Sequence, residues 1–569
     1  MTPIDATVPG LRGPGLTPED KALVQDGVMA ADRADDAATK AERSMTAASI
    51  GPATSDVALA LGADEGGAAP AWFDGDGRLH AVLADSGSVV VLTGGVVSGI
   101  VDADGYVGQA RDVTGASVDR FSPFTVTLVG DDVAVINATA RALVTYGEGA
   151  QSAPSRSGDR VAWLDAAAGF HSVDATARPD LVGMVRLWLL LVYGQSNSVG
   201  GDTMPGLDRL PLDPGRALMF SRGLVPSDAS NEVPVADAAL GRMIDLTGPI
   251  YDGNGAVGFR AAHGYLAALP ADTALAVANS GVRGRAIAAL TVGTVPFRNL
   301  IKTIVRAKLQ SWAAGVPFAV PAIVYVQGES DFATATVDGY AAALVTLRNG
   351  VRDATRAITG DNAADPPMLI VQPSSWTVSN LATSAVPLAQ MKAMITDATR
   401  FAVIGPMYHL PHEPTSPLHL TSEGNRRLDE MCGDALARLA RGAGAAGLYA
   451  TSATRSGTSV TVTCRMPEGG SLTIDTARVT DPGQMGLVYR QADGSAVAIS
   501  NIAVAGDKIT FTLASAVAGT LGFALEGTAG AKAGPTSGPR CPIRDTFGAI
   551  SADGQPRFNW MLQHSLAVA

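Results

Sequence analysis

Cysteine is scarce. Only Cys432, Cys464 and Cys541 occur in 569 residues, an odd and widely spaced set that excludes a disulfide framework and a four-ligand zinc site and fits a reducing cytoplasm. Long apolar runs are missing too. No stretch of 18 apolar residues occurs, and Met1-Thr2-Pro3-Ile4-Asp5 opens no basic region followed by an apolar one, so neither a membrane span nor a signal peptide is expected. Lys/Arg-rich runs are absent and the formal charge is -12, which excludes nucleic-acid binding led by phosphate contacts. Aromatics supply only 5% of the chain and charged residues 17%. What remains is 47% apolar residues with 64 Gly and 33 Pro, the composition of a globular chain with many turns and a large β component. The length predicts three or four units.

Residues 1–50 read as an attachment segment and a helix. Thr17-Pro18-Glu19-Asp20 supplies an N-cap, a proline at the first helical position and first-turn acids. Ala31, Ala34, Ala38, Ala41, Met45 and Ala48 then step by threes and fours as a heptad seam, which points to packing of helices on one another. Residues 51–185 carry short β-like runs, Leu79 to Leu83, Val89 to Leu92, Phe124 to Val129 and Val133 to Ile136, between Asp-Gly turns. From 186 to 443 apolar strands alternate with helical stretches near 256–269, 297–314, 336–358, 386–398 and 422–441, which predicts a three-layer α/β/α domain. Residues 444–530 alternate as in a β-sandwich, and 531–569 read as a Gly/Pro-rich linker with a tail. The fold class expected is therefore multidomain, α/β plus β.

Three stretches of the α/β region carry chemistry. Leu187 to Tyr193 is a buried strand leading into Gly194-Gln195-Ser196-Asn197, an elbow that holds a serine at the carboxyl end of a sheet. Val326-Gln327-Gly328-Glu329-Ser330-Asp331 follows a second strand, and Leu418-His419-Leu420 precedes the helix containing Gly424 to Leu428. Their order and contexts resemble the SGNH hydrolase superfamily, and within it the sialate O-acetylesterase-like carbohydrate esterases; the resemblance covers about 186–442. It implies a flavodoxin-like fold and hydrolysis of carbohydrate O-acetyl esters. Ser196 would be the nucleophile and His419 the base, with the N–H groups of Ser196 and Gly284 and the Gln327 side chain serving the oxyanion and Gln195, Asn197, Glu329 and Asp331 in support. Ester cleavage by such a pair needs no cofactor and no metal ion.

Where the family carries an Asp three residues before the histidine, this chain has Ser416. Four alternatives follow: a backbone carbonyl near Ser416 or Pro417 orients His419, Glu413 reaches back as the orienting acid, the pair acts as a dyad, or the site is inactive. Glu329 and Asp331 also admit a glycosidase acid/base reading. Arg283, Arg285 and Trp376 are candidates for substrate contact, the arginines otherwise being solvated surface charges.

Taken whole, the chain resembles a phage tail-fibre or receptor-binding protein. That setting predicts a virion component, made in the bacterial cytoplasm, assembling as a homotrimer with other tail proteins and deacetylating a bacterial surface polysaccharide. The alternatives are a cytoplasmic carbohydrate esterase and a non-catalytic carbohydrate-binding tail protein with a degenerate esterase domain.

Overall fold

The computed structural model describes residues 181–568 except 182, 201–206, 208, 209, 231 and 249–254, together with the backbone of eleven strands between residues 57 and 174. The heptad seam lies outside the described residues. Eight N-terminal strands, from Val57–Leu61 to Ala142–Tyr146, pair antiparallel in chain order, and three more, ending with Gly169–Asp174, form a second sheet. Leu79–Leu83 and Phe124–Val129 match the expected strands residue for residue. These strands belong to one compact unit. Residues 181–568, apart from Ile304–Pro317 and Ala354–Ala364, belong to a second.

The second unit is built on a mixed eight-stranded sheet. Its strands are β1 (Arg186–Gly194), β2 (Ala217–Phe220), β3 (Met243–Asp245), β4 (Thr273–Asn279), β5 (Phe318–Ala319), β6 (Ile323–Val326), β7 (Met368–Gln372) and β8 (Phe401–Pro406). They run in the order β3-β2-β4-β1-β6-β7-β8 with β5 beside β1, all parallel except the β2–β3 pair. Without the β2–β3 edge the order is that of a flavodoxin-like sheet, whose ligands bind beyond the strand ends where the order reverses. Here that point is the end of β1, between β4 and β6.

Leu190 and Val192 of β1 enter one core with Leu275, Val277, Val324 and Val326 of its neighbours. By the two-residue period Leu189, Leu191 and Tyr193 face the other way, and they are equally buried. Both faces of the sheet are covered, which is why β1 reads as an unbroken apolar run. Burial of each large apolar side chain contributes about 1.5–3 kcal/mol.

The helices are α1 (Ser196–Val199), α2 (Phe259–Leu266), α3 (Val295–Ala314), α4 (Val337–Thr359), α5 (Val386–Thr396) and α6 (Ser422–Ala440). On the first face Ala261, Ala262 and Tyr265 of α2 and Leu428, Cys432 and Leu436 of α6 join the core. The two helices cross closely at Gly264 and Gly433, where an added Cβ on Gly264 would lie 2.9 Å from the Gly433 Cα. Asp429 of α6 accepts from the N–H groups of Gly258, Arg260 and Ala261 at 2.7, 2.6 and 3.1 Å, satisfying the open first turn of α2. Burial lifts its carboxyl to about 7 against those three bonds.

Beyond α6 two four-stranded antiparallel sheets enclose one core: Tyr449–Ser456, Ser459–Arg465, Lys508–Leu513 and Ile499–Ala505 in one, Ala496–Val497, Leu487–Arg490, Gly519–Phe523 and His564–Val568 in the other. The expected linker and tail are corrected here. Ile543–Asp545 pairs with Leu472–Ile474, and His564–Val568 pairs with Gly519–Phe523, so the C-terminal segment completes the sandwich. It is also joined to the α/β sheet, since Gln563 N–H donates to Gln372 Oε1 at 2.7 Å and Gln372 Nε2 to the Gln563 carbonyl at 2.8 Å.

Candidate active site

The elbow after β1 is forced by backbone contact. Gly194 has φ 146°, and a Cβ there would lie 2.0 Å from the Val326 carbonyl oxygen, so only glycine lets β1 run this close to the end of β6. Gln195 N–H donates to that same carbonyl at 2.9 Å. The chain then turns into the single-turn helix α1, whose first residue is Ser196. On the other side Ser280 N–H donates to Val192 and Val282 N–H to Gly194, both at 2.9 Å. The buried Asn279 carboxamide ties this side together, donating to the carbonyls of Ser198 (2.7 Å) and Val257 (3.0 Å) and accepting from Gly281 N–H (3.0 Å). The N–H groups of Ser196 and Gly284 make no hydrogen bond among the described residues. Gly284 sits at φ 67° with open space where a Cβ would be.

His419 reaches this elbow through Asn197. His412 and Leu420 form an antiparallel bridge, and Glu413 N–H donates to the His419 carbonyl at 2.9 Å. Asn197 Nδ2 donates to the Leu418 carbonyl at 3.2 Å, while Leu420 N–H donates to Asn197 Oδ1 at 3.4 Å. One carboxamide beside Ser196 thus grips the backbone on both sides of His419. Asn197 Nδ2 also donates to Glu329 Oε1 at 2.6 Å. The Leu420 N–H can only donate, so its bond to Oδ1 fixes Nδ2 as the NH2 end of the amide. Burial raises the Glu329 carboxyl above its ordinary range, and the Asn197 bond opposes the rise.

The His419 ring is met by a hydroxyl, Ser416 Oγ lying 3.0 Å from Nδ1. Backbone geometry supports the approach, because His419 N–H donates to the Ser416 carbonyl at 2.9 Å. His409, stacked on Trp560 at 5.6 Å, and His412, with Nδ1 2.9 Å from the Leu410 carbonyl, are pushed down by burial to about 3 and about 4 and stay neutral.

Family models give no match to the chain, and curated proteins give none. Solved structures do. A carbohydrate acetylesterase from Xanthomonas citri is 16% identical over 83% of this chain and 95% of its own, with a TM-score of 0.44. NanS is 14% identical over 46% of this chain and 99% of its own, with a TM-score of 0.33. A carbohydrate acetylesterase from Sinorhizobium meliloti is 12% identical over 45% and 99%, with a TM-score of 0.24. Similarity this distant assigns the chain to no family and carries no argument about its activity.

Several expected roles change once partners are assigned. Gln327 is fully buried, and its NH2 group donates to Gln195 Oε1 (3.1 Å), the Arg285 carbonyl (3.1 Å) and Asp331 Oδ2 (2.5 Å). Its Oε1 accepts from Tyr325 and Tyr340. With its donors taken it is a strut between the elbow, the 285 loop and Asp331 rather than a free oxyanion donor. Asp331 also accepts from Ile287 N–H at 3.0 Å. Both carboxylates of the expected glycosidase pair are thus bound to protein donors.

Trp376 is fully buried, edge-on to Phe332 at 5.9 Å with Nε1 donating to the Ala382 carbonyl, and cannot meet a sugar ring. Arg283 donates to Ser230 Oγ (3.1 Å) and the Gly200 carbonyl (3.2 Å), and Arg285 pairs with Glu232. These cations brace loops beside the elbow. The Glu413 carboxylate contacts no partner among the described residues, and the Ser416 side chain stands at His419 Nδ1. Asn279 escaped the sequence reading, although a polar residue closing the apolar run Ala274 to Ala278 was its signal.

Proposed function

We propose that the chain is a serine ester hydrolase acting on O-acetylated carbohydrate, with Ser196 as nucleophile and His419 as general base. The observation that supports this most is the Asn197 clamp, which holds Leu418 and Leu420 against the residue next to Ser196. As Ser196 Oγ attacks the acetyl carbonyl carbon, its proton passes to His419 Nε2 and the carbonyl electrons move onto oxygen. The unpaired N–H groups of Ser196 and Gly284 receive that oxyanion. Collapse breaks the ester bond, His419 returns the proton to the leaving sugar oxygen, and an acetyl-serine remains. Water, deprotonated by His419, then releases acetate and restores Ser196. The sugar part rests on the sequence resemblance alone, as do the tail-fibre setting, the trimer and a virion location. Acetate release from a panel of acetylated glycans tests the reading: wild type should release acetate and Ser196→Ala should not, whereas equal release by both removes Ser196 from the mechanism.

A further inference from the structure

We propose that Ser416 is a residue that positions His419, its hydroxyl oxygen accepting the Nδ1–H. This rests on the Ser196–His419 reading above. Three observations carry it. Ser416 Oγ lies 3.0 Å from Nδ1. The turn that brings it there is closed by His419 N–H on the Ser416 carbonyl at 2.9 Å. The Glu413 carboxylate makes no bond to the ring among the described residues.

The chemistry of a hydroxyl gives this arrangement its own behaviour. A carboxylate can only accept, and so enforces the tautomer with hydrogen on Nδ1 and a lone pair on Nε2. A hydroxyl can accept from Nδ1–H or donate to a bare Nδ1. Only the first leaves Nε2 able to take the Ser196 proton. Once that proton has moved both ring nitrogens are donors, and the Ser416 lone pair is the acceptor the imidazolium meets. Ser416 therefore steers the ring and gains strength as the transition state forms, without the charge stabilisation that an aspartate supplies.

The test compares wild type, Ser416→Ala and Ser416→Asp by two measurements. Nitrogen-15 NMR of histidine-labelled full-length protein at pH 8 should show His419 protonated at Nδ1, with that preference lost in Ser416→Ala. On p-nitrophenyl acetate Ser416→Ala should lower kcat by about ten- to a hundredfold, the worth of one hydrogen bond to a charged ring, with KM little changed. Ser416→Asp should move the acid limb of kcat/KM upward by about one pH unit, because a carboxylate at hydrogen-bond distance favours the imidazolium. Among the described residues, ionisable groups near the loop include His412, Glu413, Glu329 behind Asn197, Lys532 at the Pro414 carbonyl and the Glu423–Arg426–Arg427–Asp553 cluster opening α6. All are common to the three proteins.

A wild-type His419 protonated at Nε2 would overturn the proposal, as would a folded Ser416→Ala with unchanged kcat and acid limb. If Ser416→Ala does not fold, Ser416→Asp decides: an acid limb left where wild type has it overturns the proposal. Wild type without any ester hydrolysis would fail the functional reading alone, and the tautomer would still decide the role of Ser416.

Discussion

Asn197 shows how one side chain can link two distant parts of the sequence. Its carboxamide makes bonds to Glu329, Leu418 and Leu420, residues far away in sequence, while its backbone follows Ser196 directly. Asn197→Asp keeps the shape but sets two carboxylates at hydrogen-bond distance and removes the donor to the Leu418 carbonyl. Misplacing a reacting group by an ångström can cost about a hundredfold. The expected result is a fall in kcat of about that size with KM little altered, read by steady-state kinetics on p-nitrophenyl acetate; an unchanged kcat would show that the clamp does not hold His419. Ser196 and His419 stood out in the sequence because one closes an apolar run and the other leads into a capped helix, while Asn197 and Glu329 came from the resemblance. The place of Ser416 did not stand out, since which atom faces Nδ1 is decided by a turn closed in three dimensions. Trp376 misled for a related reason: an aromatic after a strand can belong to a loop or to the core, and only packing against Phe332 chooses.

The elements themselves were mostly written in periodicity. Strand β1 and helices α2 to α6 fall where the apolar run from Leu187 and the helical spacing put them. Strand β8 carries a weak signal, because Phe401 to Ile404 is a short run followed at once by Gly405-Pro406. No periodicity reveals the close approach of β1 and β6, and that approach shapes the elbow. Gly194→Ala should therefore be strongly destabilising, since its methyl would lie 2.0 Å from the Val326 oxygen in a conformation unfavourable to any side chain. Thermal unfolding should show a lowered Tm or loss of the transition. A Tm equal to wild type would mean that β1 and β6 are spaced more widely than described.

Across the second unit the C-terminal chain is structural rather than a linker. Glycine and proline in residues 527–542 signalled turns, and turns were read as separation, yet Cys541, Met561 and Leu562 are completely buried. Glu430 of α6 accepts from Ser551 Oγ at 2.5 Å and Ala552 N–H at 2.9 Å, and Arg557 forks onto Asp434, so the hairpin around 549–557 grips the helix that follows His419. A chain ending at residue 530 should lose cooperative unfolding and with it ester hydrolysis. A soluble truncated chain with the wild-type Tm would refute this. The central claim is that Ser196 is activated by His419, and active-site labelling tests it most directly. Treated with a fluorophosphonate and digested, the wild-type protein should carry one adduct per chain, on the Ser196 peptide, with acetate release abolished, and His419→Ala should take up little label. An unlabelled Ser196, or release that persists after it is labelled, would contradict the account.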